Sequence, residues 1–341
     1  MKRSVLSVLT SLALLLGLCA CGQPEQAAPD YIPDEAHRLV VYTSHKEEVW
    51  RPIVKEFEER TGIWVDVVYG ATSELLERIV QEGKDPAADV MFGGGVETLA
   101  TYRDCFTPYT CAGAEDILER FRSPDDLWTP FSALPVVLIY NTKLMAPGQL
   151  TRWEDLLSPS LRGRIAFTDP AASGSSFTAL ATMLSALGGD QDQVIRSFAE
   201  NLDGVQLSAS GTVLTAVADG DAFVGVTLED IAMMRIAEGK DIAIVYPQDG
   251  LSCVPDGSAI IKGAPHEDNA KLFLDFTVSP GVQALLTGRF CRRAVRGDVE
   301  PPAGVPALDE LPMAEYDLDQ VTAQRDAILM TWAFYFGEGE P

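Results

Sequence analysis

Residues 164–187 read RIAFTDPAASGSSFTALATMLSAL: a short apolar strand at 165–167, a stop at Asp169-Pro170, and a helix opened by Ser173, Gly174, Ser175 and Ser176. Phe177, Leu180, Ala181, Leu184 and Leu187 recur at helical spacing, and Gly188-Gly189 ends them. A strand that feeds a helix through a small, hydroxyl-rich loop is the building unit of a parallel α/β sheet. The first amides of such a helix have no partner inside it and carry partial positive charge, and small residues let an oxyanion approach them. The 173–176 loop is therefore a candidate anion cradle; the plainer alternative is that one serine caps the helix.

The same unit recurs on both sides. A strand at 39–42 leads through Thr43, Ser44 and His45 into a helix with Val49, Trp50, Ile53, Val54 and Phe57 on one face, ending at Gly62. A strand at 63–69 is followed by a Gly/Thr/Ser loop and a helix lined by Leu75, Leu76, Ile79 and Val80. A third strand at 88–92 meets Gly93, Gly94 and Gly95 and a short helix to Tyr102. Residues 104–130 are irregular, and the apolar strand 136–140 crosses into a second lobe built alike. There the strand 205–207 opens into the loop 208–212 and a helix, 223–226 leads into Thr227, Leu228, Glu229 and Asp230, and 242–246 is a further strand. Residues 255–257, with Asp256, read as a turn before the returning strand 258–261. A helix at 270–276, a basic cluster of Arg289, Arg292, Arg293 and Arg296, a Pro-rich stretch and a last helix at 318–332 complete the chain. In such sheets the ligand crevice lies beyond the carboxyl ends of the strands, where these polar loops converge.

The N-terminus places the protein outside the cytoplasm. Lys2 and Arg3, an apolar run at 5–18 and Cys19-Ala20-Cys21 resemble a bacterial lipoprotein signal, with Cys21 as the lipidated first residue of the mature chain. Residues 1–20 are then the signal and 21–37 a flexible tether. The mature domain divides into lobe 1 (38–134 and 257–300), lobe 2 (135–256) and a C-terminal helical segment (301–341) that packs on a lobe. The expected location is extracytoplasmic, held to the cell membrane through the N-terminal lipid only, as a monomer. The formal charge of −24 argues against nucleic acid as a partner, and screening over about 8 Å leaves room for a local cationic site. Cys105, Cys111, Cys253 and Cys291 remain once Cys19 and Cys21 are set aside; of three possible pairings, Cys105–Cys111 and Cys253–Cys291 are preferred for an exported chain.

Catalysis finds little support. Three histidines, with no HExxH, GxSxG, Walker-type or dinucleotide motif, leave no metal, cofactor or nucleophile pattern. His45 beside Ser44 sits on one loop, where neighbours point apart, and Glu229 with Asp230 reads as helix capping or as acceptors for a ligand's hydroxyl or amine. Arg292 and Arg293 read equally as an oxyanion clamp or as solvated charges.

The runs LVVYTSHKEEVWRPIVKEFEERTGIWVDVVYG (39–70), ADVMFGGGVETL (88–99), YNTKL with WEDLL (140–157), GRIAFTDPAASGSSFTALATML (163–184) and YPQDGLSCVPDGSAIIKGA (246–264) resemble extracellular solute-binding proteins of ABC transporters. The similarity is to the cluster of ferric-iron, 2-aminoethylphosphonate, hexose-phosphate and thiamine binders. It implies an α/β periplasmic-binding-protein type II fold, two doubly wound lobes joined by a two-strand hinge, closing on a small anionic solute and passing it to a permease. Ferric members use two adjacent tyrosines just after the strand matching 223–226; here that place reads Thr227-Leu228-Glu229-Asp230, and no two tyrosines adjoin. Relatives that bind phosphate or phosphonate do so with hydroxyls and amides. By that resemblance Thr43 and Ser44, Gly94 and Gly95, and Ser173, Gly174, Ser175 and Ser176 hold the oxyanion, Glu229 with Asp230 or Asp256 reads a hydroxyl or amino end, and His45 and Thr227 are further candidate ligand contacts. Carboxylate-held ferric iron is the alternative within the fold, and an extracellular phosphate-ester hydrolase the alternative from another class.

Overall fold

The computed structural model describes residues 34–336, so the signal, Cys21 and the tether up to residue 33 lie outside the described residues. From His37 onward the chain is one compact unit. It opens as the pattern predicts. Strand β1 (Arg38–Thr43) leads to α1 (Glu47–Thr61), β2 (Trp64–Tyr69) to α2 (Thr72–Glu82), and β3 (Val90–Gly95) to α3 (Val96–Thr101). Helix α1 stops at Gly62, whose φ of 72° suits glycine and whose N–H donates to the Glu58 carbonyl at 2.9 Å. After β4 (Phe106–Thr107), the 13-residue β5 (Thr129–Asn141) leads to β6 (Ile165–Ala166), α4 (Gly174–Leu187) and α5 (Gln191–Leu202). Then come α6 (Ser210–Asp219), β7 (Val224–Leu228), α7 (Glu229–Ala237), β8 (Ile242–Val245), β9 (Cys253–Ile261), α8 (Glu267–Thr277), α9 (Pro280–Phe290) and α10 (Leu318–Phe336).

The strands join in the order β2-β1-β3-β9-β5-β7-β6, with β4 on β9 and β8 on β5. Pairs β1–β2, β1–β3 and β6–β7 are parallel, whereas β5 and β9 run against their neighbours, so the sheet is mixed. These two long strands pair with each other over 129–135 and 253–258 and belong to both halves of the sheet. The crossing therefore lies within β9: residues 255–257, expected as a turn, are buried strand residues paired to β5 and β3. Pro255 is tolerated there because its partner Ala133 bonds elsewhere, its N–H donating to the Arg293 carbonyl at 2.9 Å. Strand β3 also runs on through the expected glycine loop to Gly95, with a register shift against β9 after Phe92.

Both faces of each half are covered, which is why β5 reads as an almost unbroken apolar run. Val136 and Leu138 join Trp153, Phe167, Phe177 and Phe198 on one face, while Val137 and Ile139 join Val213, Leu214 and Val217 on the other. In the first half Val41, Ile53, Phe57, Phe92, Phe131 and Phe273 form one core and Leu76, Met91, Leu99 and Ala259 the opposite one. Each buried Val, Leu, Ile, Phe or Met among these contributes about 1.5–3 kcal/mol by leaving water. Trp332 of α10 packs 5.6 Å from the Phe167 ring in the second half, while Leu318 at the start of α10 packs on the first. Among the described residues no helix is long and apolar enough to cross a membrane.

Among the described residues Cys105, Cys111, Cys253 and Cys291 are free, which corrects the expected pairing. Cys105 packs beside Leu99 and Phe106, whereas Cys111 belongs to a separate cluster with Ile117, Phe121 and Val278. Cys253 points into that second cluster, while Cys291 ends α9 on a left-handed residue with φ of 53°. Cys105 and Cys111 thus pack in different clusters.

Candidate functional site

A cleft of about 320 Å³ opens between the two halves, lined from the first by Ser44, His45, Lys46, Glu48, Phe290 and Arg292 and from the second by Ser175, Ser210, Gly211, Asp230, Met234 and Arg235 among others. Its walls are helix starts. The N-terminal turns of α1, α4, α6 and α7, helices of 15, 14, 10 and 9 residues, all contribute. Each leaves amides unpaired within its own helix and adds partial positive charge, so the arrangement suits an anion. Side-chain charge there is nearly balanced: Arg235 pairs with Glu238 at 2.7 Å, and Arg292 with Asp230 and Asp256 at 3.0 Å each.

The structure thus brings Ser44, His45, Ser175 and Asp230 to one cleft and sets the other expected residues behind it. Thr43 is fully buried; its hydroxyl donates to the Phe92 carbonyl at 2.8 Å and accepts the His45 N–H at 3.1 Å, which fixes the loop. His45 is wedged between Phe92 and Phe131, ring centroids 4.6 and 5.0 Å away. Burial, helped by the charge of Arg292, holds its pKa well below the usual histidine range, so the ring is neutral. Its Nε2 has no hydrogen-bond partner and lies 3.5 Å from Asp256 Oδ2. Gly93, not Gly94 or Gly95, is what His45 requires: with φ of 99°, a Cβ there would lie 2.8 Å from Nε2. Gly94 faces Thr72 and Gly95 faces Glu97.

Ser173 is the cap of α4, its Oγ accepting the Ser176 N–H at 3.3 Å and lying 3.1 Å from Ser175 Oγ. Ser176 is buried, and the Gly174 carbonyl accepts the Thr178 hydroxyl at 3.1 Å, so of this loop Ser175 alone lines the cleft. Thr227 is buried in β7 opposite Val137, its hydroxyl without a partner. Glu229 takes Arg293 in two bonds of 2.7 and 2.9 Å and the Tyr246 hydroxyl at 2.6 Å. Asp256 accepts the Ser132 N–H and hydroxyl at 2.8 and 2.7 Å as well as Arg292. Burial pushes the carboxyls of Asp230 and Asp256 above the usual range, and Arg292 opposes it. Lys46, Ser210 and Gly211 line the cleft without having been singled out for the site, the hydroxyl loop at 208–212 being the visible signal for the last two; Arg292, read equally as an oxyanion clamp or a solvated charge, lines it as well. Among the described residues no group of three or more His, Cys, Asp or Glu is arranged to hold a metal ion.

Residues 85–321 match the family model of bacterial extracellular solute-binding proteins. The chain belongs to this family. Members bind a small solute and deliver it to an ABC permease. This solute-binding protein is 27% identical over 304 residues to iron uptake protein A1 of Synechocystis, covering 84% of either chain. It is 24% identical to a putative 2-aminoethylphosphonate-binding periplasmic protein of Salmonella typhimurium, over 81% of this chain and 84% of the relative. Its fold matches that of the periplasmic binding protein AfuA of Actinobacillus pleuropneumoniae, solved with fructose 6-phosphate, with a TM-score of 0.79 at 24% identity, over 88% of this chain and 98% of the other. The solute-binding protein therefore has the periplasmic-binding-protein type II fold, and its cleft occupies the place where the two halves meet.

Proposed function

We propose that this solute-binding protein captures a small phosphorylated or phosphonate solute for an ABC importer, closing lobes 38–134 with 257–300 and 135–256 around it. The observation that carries the reading is the convergence of four helix N-termini and the hydroxyls of Ser44, Ser175 and Ser210 on one cleft between the halves. Such a cradle binds an oxyanion through oriented amides without a matching side-chain charge. Binding rather than turnover fits this arrangement: His45 is neutral and wedged between phenyl rings, and among the described residues no general base bonds Ser44. The N-terminal lipobox further supports anchoring at Cys21, with the monomer tethered to the membrane by its lipid.

The test is a melting series with glucose 6-phosphate, 2-aminoethylphosphonate, thiamine and ferric citrate. A ligand at 100 times its Kd adds about 2.7 kcal/mol, or about 4 °C for ~300 ordered residues. Stabilisation by a phosphorylated or phosphonate compound, weakened in Ser175→Ala, is the expected result. A shift with ferric citrate alone would refute the reading in favour of iron, which the name of the Synechocystis relative supports.

A further inference from the structure

The segment after α9 carries two adjacent arginines with opposite fates. Arg293 is buried, its Nε and Nη2 donating to Glu229 and Nη2 also to the Pro306 carbonyl at 2.8 Å. Arg292 lines the cleft, its side chain 14% exposed. Its Nε donates to Asp230 Oδ2 at 3.0 Å, and its Nη1 to Asp256 Oδ2 at 3.0 Å and Ser132 Oγ at 3.2 Å. Those three bonds lock the guanidinium and leave Nη2 as its one nitrogen without a partner among the described residues. Asp230 bonds Arg292 through Oδ2 only, so its Oδ1, buried and unpaired, remains an acceptor beside that donor.

Two carboxylates outnumber the single charge of Arg292, so this floor offers an incoming phosphate no spare cation. An ammonium, which only donates, would satisfy Asp230 and leave Nη2 facing a second cation. A hydroxyl both donates and accepts, and two neighbouring hydroxyls satisfy both atoms at once. We propose, resting on the anion-cradle reading above, that Arg292 Nη2 and Asp230 Oδ1 form a hydroxyl-reading subsite, so that the solute is a phosphorylated polyol or sugar with its phosphate at the helix N-termini. Arg292 and Asp230 are then the specificity-determining pair.

Calorimetric titration separates the two claims, using glucose 6-phosphate, fructose 6-phosphate and sorbitol 6-phosphate against butyl phosphate and 2-aminoethylphosphonate. Leaving two buried polar atoms unpaired is expected to weaken butyl phosphate and 2-aminoethylphosphonate by about 100-fold against the best polyol phosphate. In Asp230→Asn and Arg292→Lys that ratio should shrink to about three-fold or less, mainly through loss of the polyol. Butyl phosphate or 2-aminoethylphosphonate binding the unaltered protein as tightly as every polyol phosphate would overturn the subsite and leave the cradle standing. No binding of any phosphorylated or phosphonate probe would overturn both. The ratio on the unaltered protein decides the matter even if a variant does not fold.

Discussion

Gly93→Ala probes the part of the site that depends most on backbone geometry. Gly93 holds φ of 99° at the bulged end of β3, a conformation that costs a side-chain-bearing residue about 1–3 kcal/mol. The new methyl would also sit 2.8, 3.0 and 3.1 Å from three atoms of the His45 ring. That ring cannot simply step aside, because Phe92 and Phe131 pack against it and Thr43 fixes its backbone. Overpacking of this kind adds about 1–3 kcal/mol, for a total of roughly 2–6 kcal/mol. At about 0.6 kcal/mol/K of unfolding entropy for ~300 residues, the melting temperature should fall by roughly 3–10 °C. Differential scanning calorimetry measures this, and titration of the best phosphorylated probe should show weaker binding as His45 is displaced. A melting temperature within about 1 °C of the unaltered protein would refute the claim that Gly93 is there to make room for His45.

Glu229→Gln should cost about 3–5 kcal/mol, read as a fall in the calorimetric midpoint, because it strands the buried Arg293 guanidinium; an unchanged midpoint would mean the pair contributes nothing. Burial pushes the Glu97 carboxyl up from its ordinary 4.5, with Thr178 and Tyr316 donating to one oxygen and the other unpaired. A raised native pKa adds stability below the ordinary value that is lost as pH rises through the raised one, so Glu97→Gln should gain on the unaltered protein as pH increases across that window, whereas a pH-independent difference in midpoint would contradict it. Burial lifts the thiols of Cys111 to about 11 and Cys253 to about 12, so both should resist iodoacetamide at pH 8 in the folded protein and react once it is unfolded without reductant; protection that persists in denaturant would point to disulfides.

The fold was legible because its units are local. Each strand, loop and helix of the α/β alternation occupies a few tens of residues, and the apolar spacing within α1, α2 and α4 reports which face meets the sheet. Helices α5 and α9 escaped the reading although their starts are written in sequence, Asp190 capping the one and Ser279-Pro280 opening the other. The glycine run at 93–95 and Pro255-Asp256-Gly257 looked like turns because both residue types break strands, yet here a bulge and a strand crossing between halves use them.

The site was less legible because its partners are distant. Arg292 meets Asp230 across 62 residues and Asp256 across 36, and Arg293 meets Glu229 across 64. Nothing local says which of two adjacent arginines enters the cleft. That choice follows from the antiparallel bridge between Arg293 and Ala133, which holds the segment extended and sends successive side chains to opposite sides. Arg293 then points inward to Glu229, and Arg292 falls over Ser132 and Asp256 at the cleft floor. A one-residue slip of that bridge would exchange the two, burying the cleft's guanidinium and exposing the structural one. The arrangement of the cleft floor in this solute-binding protein is therefore set by register, and the strand crossing that supplies Ser132 and Asp256 also holds Arg292 there.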